Sequence, residues 1–237
     1  MPQARKKRLH DAQLSILRLI DIARADPTVR VCMPAPATAP PTLLDDKPRC
    51  PWCTGSDIYI RYHDEEWGVP VHDDQDLFAK LILDGAQAGL SWITILKKRE
   101  GYYRAFDDFD PEKMARYTQK KIDALMANPG IVRNRLKIAA AIGNAKAYLQ
   151  LREELGSFDQ YLWQFTGGKV KRNAHTEGSS IPATSPESDA MSKALLKRGF
   201  KFVGSTICYA FMQAVGIIND HRVDCFRYKE VGKARER

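Results

Sequence analysis

Asp84-Gly85-Ala86-Gln87-Ala88-Gly89-Leu90-Ser91-Trp92 separates two helical patterns, and the architecture follows from how it is read. Ahead of it Leu77, Phe78, Leu81 and Ile82 recur at helical spacing. Within it Gly85 and Gly89 loosen the backbone, and Ser91 is placed to cap a second helix over Trp92 to Glu100. The pattern gives an apolar helix, an exposed turn and another helix, with a carboxylate, an amide, a leucine and an indole gathered within nine residues. Taken alone, that is also the layout of an ordinary core helix and its connection.

The helical pattern continues outward. Asp73 or Asp74 caps the helix that ends at the turn, and Asp110 before Pro111 starts another, where proline's missing donor is harmless. A short helix after Thr118 carries Ile122, Leu125 and Met126 and stops at Asn128-Pro129-Gly130. A longer one then runs from about Arg133 to Leu151, with Ile138, Ala141, Ile142 and Ala145 inward. Helix, glycine-containing hairpin, helix is a layout that aims backbone N–H groups at a DNA phosphate, and Arg133, Arg135 and Lys137 add charge there. Further on, Ser157 caps a helix carrying Tyr161, Leu162 and Phe165, Ser185-Pro186 opens one that ends before Gly199, and Thr206 to Val215 form an apolar helix stopped by Gly216. Thr166 to Thr184 reads as a loop. With few convincing strands, no repeat and no phosphate-cradling glycine fingerprint, the predicted class is all-α.

Bulk properties narrow the setting. The chain has 237 residues, 44% of them hydrophobic, which suffices for one sizeable domain. No run of about 18 apolar residues suggests a membrane span, and the N-terminus lacks the apolar segment of a secretory signal. Five cysteines, an odd number, do not read as a disulfide framework, so the expected compartment is intracellular and reducing, a bacterial cytoplasm or a nucleus. Residues 1–48 read as a basic, proline-rich extension with the cluster Arg5-Lys6-Lys7-Arg8, an amphipathic helix around Leu14 to Ile22 and an extended tract from Met33. Residues 49–228 form the expected domain and 229–237 a charged tail. The net charge is +8; eight basic and five acidic residues fall within 1–48, so +5 belongs to the remainder. A polyanionic partner follows from that balance.

Metal-binding chemistry is suggested at both ends of the domain. Cys50 and Cys53 flank Pro51-Trp52, His63 follows, and His221 and Cys225 are spaced to share one face if their segment is helical. Spacing alone permits Cys50, Cys53, His221 and Cys225 as well as Cys50, His63, His221 and Cys225. Tyr59, Tyr62 and Trp67 are suited to lining a pocket for a flat ligand, although packing against the core is the commoner fate of such residues.

Four motifs identify a relationship. Arg49-Cys50-Pro51-Trp52, Tyr62-His63-Asp64-Glu65-Glu66-Trp67-Gly68-Val69-Pro70, the run from Gln87 to Glu100, and Lys197-Arg198-Gly199-Phe200-Lys201-Phe202-Val203-Gly204 together resemble the DNA-3-methyladenine glycosylase I family, from about Arg49 to Tyr228. The resemblance implies a helix-hairpin-helix glycosylase fold and hydrolytic excision of 3-methyladenine from double-stranded DNA carrying alkylated purines, the expected assembly being a monomer. It selects Cys50, His63, His221 and Cys225 as ligands of one structural zinc ion. It assigns Tyr59, Tyr62 and Trp92 to the base pocket, with Tyr62, Trp92 and the acidic position in catalytic roles. That acidic, base-contacting position is a glutamate in the family pattern and is Asp84 here. Gly89 and Leu90 match the loop that enters the gap left by an extruded nucleotide, and the hairpin at Gly130 matches the phosphate anchor. The residues on their own also permit a helix-hairpin-helix module that binds DNA without chemistry.

Overall fold

The structure, a computed structural model, describes residues 45–231. The basic cluster at 5–8, the helix at 14–22 and most of the proline-rich tract lie outside the described residues, as does the tail beyond 231. The described residues contain eleven helices: α1 (Asp57–Glu65), α2 (Asp74–Gln87), α3 (Trp92–Leu96), α4 (Arg99–Ala105), α5 (Pro111–Ala115), α6 (Gln119–Ala127), α7 (Arg135–Leu155), α8 (Phe158–Trp163), α9 (Pro186–Lys197), α10 (Ser205–Ala214) and α11 (Phe226–Glu230). Short 3-10 turns lie at Pro51–Cys53, Asp107–Phe109 and Gln164–Thr166.

Helix α2 is the centre of the packing. Asp73 caps it by accepting from the amides of Gln75 and Asp76. From Leu77 to Ala86 only Lys80 escapes full burial, and the helix packs against α3, α7, α8 and α10. A helix that is apolar on every side belongs inside a core, where each buried leucine or phenylalanine is worth about 1.5–3 kcal/mol. Its last turns pass so close to the Phe202 segment that a Cβ on Gly85 would stand 3.2 Å from the Phe202 Cβ, which accounts for glycine there.

The single helix expected over Trp92 to Glu100 is divided at Lys97-Lys98. Lys98 leaves helical geometry (φ −104°, ψ 1°) and its amide closes a tight turn onto the Ile95 carbonyl. The break redirects α4 toward the hairpin that joins α6 and α7. Lys98 donates to the Pro129 carbonyl at 2.7 Å, and the Tyr102 hydroxyl accepts from the Val132 amide at 3.1 Å. Within the hairpin Asn128 accepts from the Gly130 amide, and Asn134 caps α7 by accepting from the Lys137 amide.

The 166–184 stretch is mostly loop but contributes one strand, β1 (Lys171–Arg172), parallel to β2 (Ile218–Asn219) with Lys171 opposite Ile218. Residues 221–225, whose two metal donors would share one face of a helix, form a turn ahead of α11. Helix α11 also takes in Lys229 and Glu230, which the sequence pattern had placed in the tail.

Gly101 meets the hairpin backbone directly: a Cβ there would lie 2.3 Å from the Gly130 carbonyl oxygen. Gly101→Ala is therefore expected to lower stability by about 1–3 kcal/mol through overpacking of backbone against backbone. Equilibrium urea unfolding measures this, and a variant as stable as the parent would contradict the contact.

Candidate active site and metal centre

Two sites share one wall. Ser56 caps α1 by accepting from the Tyr59 amide, and the helix brings Tyr59 and Tyr62 to a cavity while His63, on the same helix, joins a separate cluster of Cys and His side chains. The cavity, of about 270 Å³, is lined by Trp52, Tyr59, Tyr62, Trp67, Lys80, Asp84, Gln87, Trp92, Ile181, Ala210, Gln213 and Ala214. Tyr62, Asp84 and Trp92 thus face a common space. Tyr59 also fixes the first turn of α3, and with it Trp92, because its hydroxyl accepts from the Ile93 amide at 2.9 Å.

Asp84 is the polar focus of this cavity. Its side chain is buried, one oxygen takes an ion pair from Lys80, one helical turn earlier, and Oδ2 has no hydrogen-bond partner among the described residues. The indole Nε1 of Trp92 is likewise buried and unpartnered. A buried acceptor and a buried donor left open in one cavity suit a ligand with polar edges. Burial raises the Asp84 pKa, with Lys80 opposing the shift; burial lowers that of Lys80, with Asp84 opposing.

The rings of Tyr62 and Trp92 do not form a parallel clamp. Their centroids are 5.4 Å apart at an interplanar angle of 48°, whereas a ring held between two others needs about 7 Å, twice the carbon contact distance. They meet as an open corner. The ammonium of Lys80 stands over the Trp92 ring, 4.1 Å from its centroid.

On the far side of the wall lie four donors. Cys50, His63, His221 and Cys225 are all buried, with their ligand atoms within 4.8 Å of one another. Cys225 Sγ is 3.4 Å from His63 Nε2 and 3.6 Å from His221 Nδ1, and Cys50 Sγ is 3.7 Å from that same Nδ1. A tetrahedral ion with bonds of about 2.0–2.3 Å has edges of about 3.3–3.8 Å, so the donors fit one. The remaining ring nitrogens are engaged in the way such a site requires: His221 Nε2 donates to the Trp67 carbonyl, and His63 Nδ1 donates to Asp64, itself gripped by Arg49. The thiols of Cys50 and Cys225 act on each other: hydrogen bonding from Cys50, against burial and with His221 and His63, pulls the Cys225 thiol down, while Cys225 and burial push the Cys50 thiol up. Cys53 stands apart, its thiol donating to the Cys50 carbonyl. Trp52 packs edge-on against both His63 and Trp67, so the cluster and the aromatic wall are mechanically one unit.

The turn after α2 carries Gly89 at φ +74° and Leu90 with 41% of its surface exposed. Arg133 and Arg135 are exposed at the hairpin, Arg135 lying 3.7 Å from Asp123. Lys137, expected among the phosphate contacts, sends its ammonium to the carbonyls of Ala86 and Ala88, at 2.7 and 2.6 Å. These are the unsatisfied carbonyls at the C-terminal end of α2, where a cation is favoured, so Lys137 ties the hairpin helix to the Leu90 turn. Sequence reasoning missed Lys80, although its i, i+4 spacing to Asp84 was available, and it missed Ile181 and Gln213, which reach the cavity from distant segments.

Comparison with known proteins identifies the family. The family model described as methyladenine glycosylase matches residues 52–228. The chain belongs to the methyladenine glycosylase family. It is 51% identical over 180 residues to DNA-3-methyladenine glycosylase 1 of Escherichia coli K12, covering 76% of this chain and 96% of that protein. A crystal structure of a 3-methyladenine DNA glycosylase I superposes with a TM-score of 0.74 at 49% identity, covering 76% of this chain and 98% of the other. A second family structure, a tyrosine-to-phenylalanine variant in complex with 3-methyladenine, superposes at 0.72 with 40% identity, covering 75% and 95%.

The four-donor cluster predicts one metal ion per chain. Metal analysis of purified protein is expected to give that stoichiometry, and Cys225→Ala to lose the ion along with several kcal/mol of stability, about what removal of one partner from a buried polar cluster costs. Unchanged metal content in the variant would refute the assignment.

Proposed function

We propose that this chain excises 3-methyladenine from double-stranded DNA, hydrolysing the N-glycosidic bond of a base rotated into the cavity between Trp92 and Asp84. The observation that carries the reading is a buried carboxylate with one open oxygen, set beside aromatic faces in a cavity next to an exposed leucine.

Adenine methylated at N3 carries positive charge while it is attached to the sugar. When the C1′–N9 bond breaks, its electron pair moves into the ring, the base leaves neutral, and the sugar carries the charge as an oxocarbenium ion. Water adds to C1′ and releases its proton to solvent. The leaving group needs no protonation, so what the protein must supply is extraction, recognition and charge stabilisation. Asp84 accepts a hydrogen bond from the base edge through Oδ2 and presents negative charge to the developing oxocarbenium. The face of Trp92, with Tyr62 closing the corner, favours a cation by about 0.5–2 kcal/mol.

Extraction depends on the turn. Leu90 fills the gap in the base stack, as apolar wedges do, and the positive φ of Gly89 lets the chain present it. The hairpin at Gly130, with Arg133 and Arg135, holds backbone phosphates, so affinity falls with added salt. Lys137 couples that grip to the wedge through the Ala86 and Ala88 carbonyls. Cys50, His63, His221 and Cys225 would hold zinc, on the donor chemistry of two thiolates and two imidazoles, and the ion would supply rigidity to the aromatic wall rather than chemistry.

Released 3-methyladenine from methylated duplex DNA is the readout. The parent chain is expected to release it, and Asp84→Asn to slow the step by about a hundredfold or more, the usual loss for a group stabilising charge in a transition state. Undiminished release by Asp84→Asn would contradict the role given to this carboxylate.

A further inference from the structure

Resting on the glycosylase reading, the geometry points to Lys80 as a specificity-determining residue: its ammonium occupies the place that the positive charge of the rotated base must take, so the base enters by displacing it. The Lys80 Nζ stands 4.1 Å above the centroid of the Trp92 ring and pairs with one oxygen of Asp84. A purine stacked on Trp92 lies about 3.5–4 Å from that ring. The ammonium and the base therefore compete for one volume, one aromatic face and one carboxylate. The cavity binds its own cation first.

Stability does not account for the arrangement. A buried ion pair gains little over apolar packing of the same volume, because both charges lose their water. This pair lies in a core helix whose other positions from Leu77 to Ala86 are filled by apolar residues and Gly85, and it sits in the one stretch of that helix open to the cavity. A neutral side chain at position 80 would fill the same volume and uncover the Trp92 face, at the cost of leaving Asp84 without the partner that offsets part of its desolvation. What lysine adds is a threshold: a base that fails to displace the ammonium leaves Asp84 neutralised and the Trp92 face covered.

The charged and titratable groups around Lys80 are Asp84 on its own helix, Glu66 at the end of α1, Arg99 on α4, Tyr62 on α1 and Cys208 on α10. Burial lowers the Lys80 pKa, Asp84 and Glu66 raise it in part, and Arg99 lowers it further. As pH rises through that lowered value the amine becomes neutral, loses its hold on Trp92 and Asp84, and yields to the base. Occupancy of the pocket by the cationic base accordingly improves toward alkaline pH.

Single-turnover excision with protein in excess over methylated duplex separates the half-saturating concentration from the limiting rate. Parent, Lys80→Met and Lys80→Arg are compared from neutral to alkaline pH, with thermal unfolding of each as a check on folding. Lys80→Met is expected to lower the half-saturating concentration about tenfold, with a smaller change in limiting rate, and to abolish its improvement with pH. Lys80→Arg keeps a charge at every pH and is expected to bind weakly throughout, with a flat profile. Failure of folded Lys80→Met to bind more tightly overturns the inference, as does a parent profile that stays flat. If Lys80→Met does not fold, Lys80→Arg decides: a profile that still improves with pH overturns the inference, and a flat one supports it. Absence of release by the parent at every pH overturns the glycosylase reading and this inference together, whereas release by a parent no weaker in binding than Lys80→Met overturns this inference alone.

Discussion

A carboxylate sealed into an apolar helix is the constraint to which the rest of this molecule answers. Asp84 has 2% of its surface exposed and one oxygen without a partner, a state that costs free energy and persists only if the surroundings enforce it. Helix α2 is enclosed by α3, α7, α8 and α10, so the carboxylate opens only onto the cavity it lines. Lys80 offsets part of the desolvation. What remains is an acceptor directed at a cavity and completed by whatever ligand brings a donor to it.

The second dependency runs from the four-donor cluster to the cavity wall. Cys50 and His63 come from one end of the domain and His221 and Cys225 from the other, so an ion bound there joins segments more than 150 residues apart in sequence. Trp52, edge-on to His63 and to Trp67, transmits that fixation to the aromatic wall. From α1, Tyr59 carries it across to the first turn of α3 and hence to Trp92. Trp92 is thus positioned from outside its own five-residue helix, which is too short to hold an orientation alone.

Much of this was legible in the sequence because it is local. Asp73, Asp110, Ser157 and Ser185 cap the helices their positions announce, each through a side-chain oxygen on nearby amides. What was not legible depends on distant partners. Lys98 ends a helix that its neighbours' propensities would continue, because its ammonium and the chain beyond it are drawn to the hairpin. Lys137 looks like a solvent-facing cation until the C-terminal carbonyls of α2 are brought beneath it. The i, i+4 spacing of His221 and Cys225 would put both on one face of a helix; a turn delivers the same closeness, and nothing local distinguishes the two. Spacing also left Cys53 and His63 as equal candidates for the metal. The family resemblance favoured His63, and the fold turns the Cys53 thiol to a backbone carbonyl.

If the face of Trp92 and the open oxygen of Asp84 form the seat of the extruded base, a bound purine must show it. The decisive experiment is a crystal structure of the protein with a duplex containing a stable abasic analogue, grown with free 3-methyladenine. Leu90 is expected within the duplex, the purine ring on Trp92 with its edge on Asp84, and Lys80 moved off the indole. A purine seated elsewhere, with Lys80 still over Trp92 and Asp84 Oδ2 facing an empty cavity, would contradict this assignment.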